Sequence, residues 1–124
     1  MPTRNAVFVV DNDPSMRRGI MWLLRMHGFK SKLFDSANAI LRHDDFSAVL
    51  CVILDIDLDG ESGIGVCRRL ANRGIRLPVI FITGSDSEAT RAAATKTGCI
   101  AYLTKPFAPL ALIEPVRRVR AATT

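Results

Sequence analysis

Four side chains in this 124-residue sequence stand directly after apolar runs and could act together: Asp11, Asp55, Thr83 and Lys105. Two carboxylates brought to about 5 Å repel by roughly 3 kcal/mol at an effective dielectric near 20, and a divalent cation reverses that repulsion. A hydroxyl and an ammonium beside them suit an anion, and phosphoryl is the natural one. Mg2+ is the best-suited ion. It takes oxygen ligands, commonly one or two carboxylates with phosphate oxygens and water, and it neutralises charge as a phosphoryl group moves. A carboxylate can itself be the nucleophile, which gives an aspartyl phosphate.

The elements that must position these groups can be read from periodicity. Ala6 to Val10 is a short valine-rich run that predicts a buried strand ending at Asp11. Met16, Ile20, Leu23, Leu24 and His27 recur at helical spacing, and Gly28 follows as a stop. Asp13 before Pro14 is what a helix start needs, so N-capping is the expected role of Asp13. Lys30 to Phe34 reads as a strand, Ser36 caps a short helix through Leu41, and Ala48 to Leu54 is a fully apolar strand ending at Asp55. A helix from about Gly63 to Arg73 stops at Gly74, and Pro78 to Ile82 is a further strand. Ser85 with Glu88 three residues on predicts a capping box for an alanine-rich helix, Ala89 to Thr97, that ends near Gly98. Ala101 to Leu103 is the last strand before Lys105, and Phe107 to Ala121 is the last helix. Pro115 inside it predicts a kink or an early end, because proline removes a hydrogen bond and crowds the carbonyl of Ala111.

Strand and helix alternate five times, and strands apolar on both faces belong in a parallel sheet covered on each side, so the fold class is α/β. In such sheets ligands bind outside the carboxyl ends of the strands, where Asp11, Asp55, Thr83 and Lys105 fall.

Composition narrows the function classes. Length predicts one domain over residues 1–124, and 48% apolar residues supply a core without disulfides or metal. Cys51, Cys67 and Cys99 are scattered and read as reduced thiols, while His27 and His43 share no ligand spacing and His43 reads as solvated. No apolar run approaches the length of a membrane span and no signal-peptide layout opens the chain, so a cytoplasmic protein without membrane contact is expected. The net charge is +5, yet Asp11, Asp13, Asp55, Asp57, Asp59 and Glu61 form two acidic clusters. Basic residues are dispersed, dense only at Arg117, Arg118 and Arg120, which argues against direct DNA binding.

The segments VVDNDPSMRR, VILDIDLDGESG, VIFITGS and YLTKPF resemble, in order and spacing, the receiver domain of bacterial two-component response regulators, and RLPVIFITG with KPF is similar to FixJ-type receivers. The resemblance covers about Ala6 to Arg120. It implies a flavodoxin-like three-layer sandwich with a five-stranded parallel sheet in order 2-1-3-4-5 and five helices. It implies a phosphoacceptor signalling domain rather than an enzyme: Asp55 takes a phosphoryl group from a sensor histidine kinase or phosphotransfer protein, with Mg2+ at Asp11, Asn12, Asp55 and the backbone carbonyl of Asp57. Thr83 is then the switch hydroxyl, Tyr102 the aromatic that turns inward with it, Lys105 the phosphate contact, and Lys105-Pro106 a cis peptide. The changed surface would lie on the fourth helix, last strand and last helix, with a homodimer through the last helix and strand, and DNA would be reached only through an output domain beyond this chain.

Three departures from the family pattern bear on that reading. Asn12 stands where receivers usually carry a second acid, which predicts a weakened Mg2+ site. Asp59 replaces a common proline, and Pro115 interrupts the last helix. Two other readings stay open: a pseudo-receiver that binds partners without phosphorylation, and a small haloacid-dehalogenase-like phosphatase using Asp11, whose D-x-D-x-S opening Asp11, Asp13 and Ser15 resemble. An EF-hand at Asp55 to Gly60 is excluded by Val66 at its twelfth position.

Overall fold

The computed structural model describes residues 4–123. Five parallel strands form the main sheet: β1 (Ala6–Val10), β2 (Lys30–Phe34), β3 (Val49–Asp55), β6 (Val79–Thr83) and β7 (Ala101–Thr104). A separate antiparallel hairpin, β4 (Asp57–Leu58) and β5 (Glu61–Ser62), follows β3. The helices are α1 (Pro14–Met26), α2 (Ala37–Leu41), α3 (Gly63–Asn72), α4 (Glu88–Lys96) and α5 (Pro109–Ala122). The sheet order is β2-β1-β3-β6-β7, which is the expected 2-1-3-4-5 when only its own strands are counted.

Alternation along the strands explains the three layers, since successive side chains point to opposite faces. Phe8, Val10, Val52, Leu54 and Phe81 pack with Ile40 of α2, Ile64, Val66 and Leu70 of α3, and Ala94 of α4. Their neighbours Val7, Val9, Cys51, Ile53, Ile80 and Ile82 pack on the other face with Ile20 and Leu24 of α1 and Leu112, Ile113 and Val116 of α5. Every residue of β3 is buried, as a central strand covered on both sides requires. Burying one such aliphatic side chain contributes about 1.5–3 kcal/mol. The layers are unequal in grip, because α4 buries only Ala94.

Local signals set most element ends. The Asp13 carboxylate accepts from the Ser15 N–H at 3.0 Å and Pro14 fills the first turn of α1, so capping is its structural role. Gly28, Gly74 and Gly98 each end a helix with φ near +80°, a conformation glycine adopts without a Cβ clash.

Three expectations are corrected. The cap of α4 is Ser87, whose Oγ accepts from Thr90 N–H, and not Ser85, whose N–H is drawn instead to Thr83 Oγ1. Of the kink or early end expected at Pro115, the early end is not what forms: α5 runs on to Ala122. Pro115 is buried beside Leu112, Ile113 and Val116, so apolar packing offsets the missing bond, while Ala111, whose carbonyl loses its donor, is exposed to water. His43 is not simply solvated: its ring meets those of Phe8, Phe34 and Phe46 edge-on, with centroids 5.3–5.5 Å apart.

Cys51 is buried, and burial pushes its thiol up to about 12; Cys67 and Cys99 are half-buried free thiols. Among the described residues no helix is long and apolar enough to cross a membrane.

Candidate functional site

The carboxyl ends of β1 and β3 carry the same local device. Asp11 Oδ1 accepts the N–H of Asp13 at 2.9 Å, and Asp55 Oδ1 accepts the N–H of Asp57 at 2.9 Å. In both, an aspartate ending a strand bonds the backbone two residues on, the local turn to which aspartate is suited. Each carboxylate is thereby oriented with its second oxygen still available. Lys105 uses both: its Nζ lies 3.1 Å from Asp11 Oδ2 and 3.2 Å from Asp55 Oδ2. Asp11 is fully buried, Asp55 is 2% exposed, and the Lys105 side chain, at 20%, forms the outer side of the cluster.

Burial pushes the Asp55 carboxyl above its ordinary value of 3.8; the Asp57 N–H opposes this, the charge of Asp11 adds to it, and Lys105 opposes it. Burial works against the Lys105 ammonium as well, but its hydrogen bond to Asp11 and the charges of Asp55 and Asp11 outweigh that and hold it above 10.5. The cluster therefore carries two acids against one fixed cation in a poorly solvated place, which leaves it short of positive charge.

Several further groups hold this corner. Arg17 Nη1 donates to the Asp11 carbonyl at 2.7 Å. The Lys105-Pro106 peptide is cis. Gly63, the first residue of α3, lies against the β3 end: a Cβ there would overlap the Asp55 carbonyl oxygen, and only hydrogen fits. Nothing in the sequence alone signals this role of Gly63, because the close approach depends on how the hairpin returns the chain. The sequence reading did not foresee that hairpin, whose turn places Gly60 at φ +78°.

Thr83 is fully buried at the end of β6. Its hydroxyl donates to Asp57 Oδ2 at 2.8 Å, so it is joined to the acid cluster through Asp57 and not directly to Asp55. Tyr102, on the edge strand β7, is half-buried and turned outward: its hydroxyl donates to Asp86 Oδ1 at 2.8 Å, and the Arg91 guanidinium lies 4.7 Å from its ring centre. Asp86 also pairs with Arg91 at 2.9 Å. Burial and the Asp86 bond push the Tyr102 phenol up to about 12, and the Tyr102 and Arg91 bonds hold the Asp86 carboxyl low. Sequence reasoning found Tyr102 but missed Asp86 and Arg91, which it could have reached only by knowing which strand α4 covers.

The donor set suits a hard cation. Each acid oxygen has one partner, while a carboxylate oxygen accepts about two, so capacity remains on both. Among the described residues no third His, Cys, Asp or Glu side chain completes a metal cluster, and the half-buried residue after Asp11 is the neutral Asn12.

The model of the response regulator receiver domain matches residues 7–117. This chain belongs to that family. Receiver domains are the phosphoacceptor domains of two-component signalling, and Mg2+ at the acid site is general among them. Nodulation protein W of Bradyrhizobium diazoefficiens is 37% identical over 114 residues, 92% of this chain and 50% of that protein. The response regulator protein TmoT of Ectopseudomonas mendocina is 34% identical, over 91% of this chain and 51% of its own. The receiver thus spans about half the length of the curated relatives it matches. Among solved structures, FixJ-N superposes with a TM-score of 0.86 at 28% identity, covering 97% of this chain and 96% of that one. A response regulator receiver protein from Pseudoalteromonas atlantica gives a TM-score of 0.90 at 22% identity, over 96% and 99% of the two chains, and shows the shared fold.

Proposed function

We propose that Asp55 is the phosphoacceptor, that residues 1–124 work as one receiver unit, and that its chemistry is limited to gaining and losing its own phosphoryl group. The observation that carries this is the buried pair Asp11 and Asp55 sharing one ammonium, Lys105, at the carboxyl end of a parallel sheet in a chain of this family. A carboxylate oxygen of Asp55 forms the new O–P bond as the donor's P–N bond breaks and the histidine nitrogen leaves with the electron pair. Lys105, already on Asp55 Oδ2, follows the charge onto the phosphoryl oxygens. Thr83 then donates a hydrogen bond from its hydroxyl to one of them, and Tyr102 moves into the space it leaves. Burial, and after it the charge of Asp11, make the ionised Asp55 costly, and a cation beside it would offset that cost.

Asp11, Asn12, Asp55 and the Asp57 carbonyl would hold Mg2+, which supplies charge neutralisation during transfer. Asn12 gives an amide oxygen without charge, so binding is weaker than with a second acid. The donor is a sensor histidine kinase or phosphotransfer protein in the cytoplasm. The responding surface is α4, β7 and α5, through which two copies would pair, and DNA is reached only through an output domain.

Incubation with acetyl phosphate and Mg2+, followed by intact-mass measurement, tests this reading. Wild type gains one phosphoryl mass and Asp55→Asn gains none. Wild type without the gain overturns the reading in favour of a partner-binding module, and steady release of inorganic phosphate that survives Asp55→Asn favours a phosphatase centred on Asp11. Asn12→Asp is expected to raise Mg2+ affinity several-fold, read by titration of the metal.

A further inference from the structure

The donors that a phosphoryl group on Asp55 would need are already taken. Thr83 Oγ1 accepts the N–H of Ser85 at 3.0 Å, which leaves its single proton aimed at Asp57 Oδ2, 2.8 Å away. The N–H of Gly84 donates to that same oxygen at 3.0 Å. The N–H of Asp57 meanwhile holds Asp55 Oδ1 at 2.9 Å, so this one residue spans from the acid cluster to the end of β6. We infer that the Asp57 carboxylate is an internal competitor of the phosphoryl group: it occupies the hydroxyl and the backbone N–H at the end of β6 and must release both before Thr83 can serve a phosphate. The inference rests on Asp55 being the phosphoacceptor.

Stoichiometry and charge both support competition. A hydroxyl and a backbone N–H each offer one proton, so an acceptor that holds them excludes a second. A phosphoryl group carries close to two negative charges at neutral pH, and a carboxylate fixed beside it raises its free energy. Release is available because Asp57 is exposed and its carboxylate can turn into water, while the β4–β5 pairing keeps its backbone in place. The buried Thr83 has no such freedom until the space beside it opens. Asp57 thus favours the unmodified arrangement and lowers the affinity of the site for a phosphoryl group without touching the O–P bond.

The experiment compares wild type, Asp57→Ala and Asp57→Asn. Each is titrated with beryllofluoride in saturating Mg2+, followed by the amide resonance of Gly84, and each is measured metal-free for hydrogen exchange at that amide. Hydrogen bonds to a charged acceptor are strong enough that Asp57→Ala should bind the probe about tenfold more tightly. Its metal-free Gly84 amide should exchange faster while the rest of the sheet stays protected. Asp57→Asn, an uncharged acceptor, should fall between. If Asp57→Ala does not fold, Asp57→Asn decides, and an affinity equal to or weaker than wild type in the folded variant overturns the inference. Wild type that binds the probe and is labelled by acetyl phosphate, with unaltered variants, removes the competitor role alone. Wild type that does neither removes the phosphoacceptor reading and the competitor with it.

Discussion

The acid cluster at the ends of β1 and β3 and the clasp around Tyr102 are both built from carboxylates and cations, yet they are held by opposite physics. Asp11 and Asp55 are buried, each is oriented by a backbone N–H two residues on, and both depend on one ammonium. Asp86 and Arg91 are exposed, with side chains 40% and 55% accessible, and water screens their attraction. Breaking a buried ion pair by removing one partner leaves an uncompensated charge, whereas an exposed pair separates at little cost. The proposed chemistry would therefore sit in a stiff corner, and the surface that would report it in a loose one. Helix α4, which supplies Arg91 and buries only Ala94, belongs to the loose side.

That contrast can be broken most strongly at Lys105. Lys105→Met leaves two buried acids facing each other, and at pH 7 without metal the fold should lose about 3 kcal/mol. The loss should shrink on acidification. Asp55 already has a folded pKa above 3.8, so its ionisation costs stability as pH rises from the unfolded value through the folded one. Removing the cation extends that window upward, and urea melts at several pH values with and without Mg2+ would read it. Next in size is Gly63→Ala, whose methyl group would collide with the Asp55 carbonyl; overpacking against backbone should cost about 2 kcal/mol in thermal or urea unfolding. An unchanged midpoint would mean that α3 can draw back and that the corner is not stiff. The smallest effect belongs to the clasp. Asp86→Ala should leave the unfolding midpoint near that of wild type and lower the Tyr102 phenol from about 12 toward its ordinary 10, followed by ultraviolet absorbance of this chain's single tyrosine.

The difference between the two regions also explains what the sequence could reveal. Buried strands ending at Asp11 and Asp55 were legible because apolar runs and the first polar residue after them are local signals, and the glycine stops at 28, 74 and 98 were legible for the same reason. The parallel α/β class followed from those runs, while the order of the strands came from the family resemblance. Misreadings arose where two local candidates competed or where packing overrode propensity. Ser85 and Ser87 both stand within reach of a helix start, and in the fold it is Ser87 Oγ that accepts the Thr90 N–H while the Ser85 N–H turns to Thr83. Pro115 should interrupt a helix in isolation, but here it is buried within α5 and the helix continues past it. Contacts between distant residues were invisible: Asp57 to Thr83 spans 26 residues and Tyr102 to Asp86 spans 16. The motif placed Asp57 by its backbone, and only the fold reveals what its side chain holds.

Strand β3 has a consequence for folding as well as for chemistry. With Val49 to Leu54 apolar on both faces, sliding this strand by one position would still present oily side chains to each layer, so hydrophobicity alone is nearly blind to the slip. Asp55 is the first residue that cannot tolerate it, because its carboxylate must reach the Lys105 ammonium at the rim. The group proposed to take the phosphoryl group would also fix the phase in which the strand is threaded.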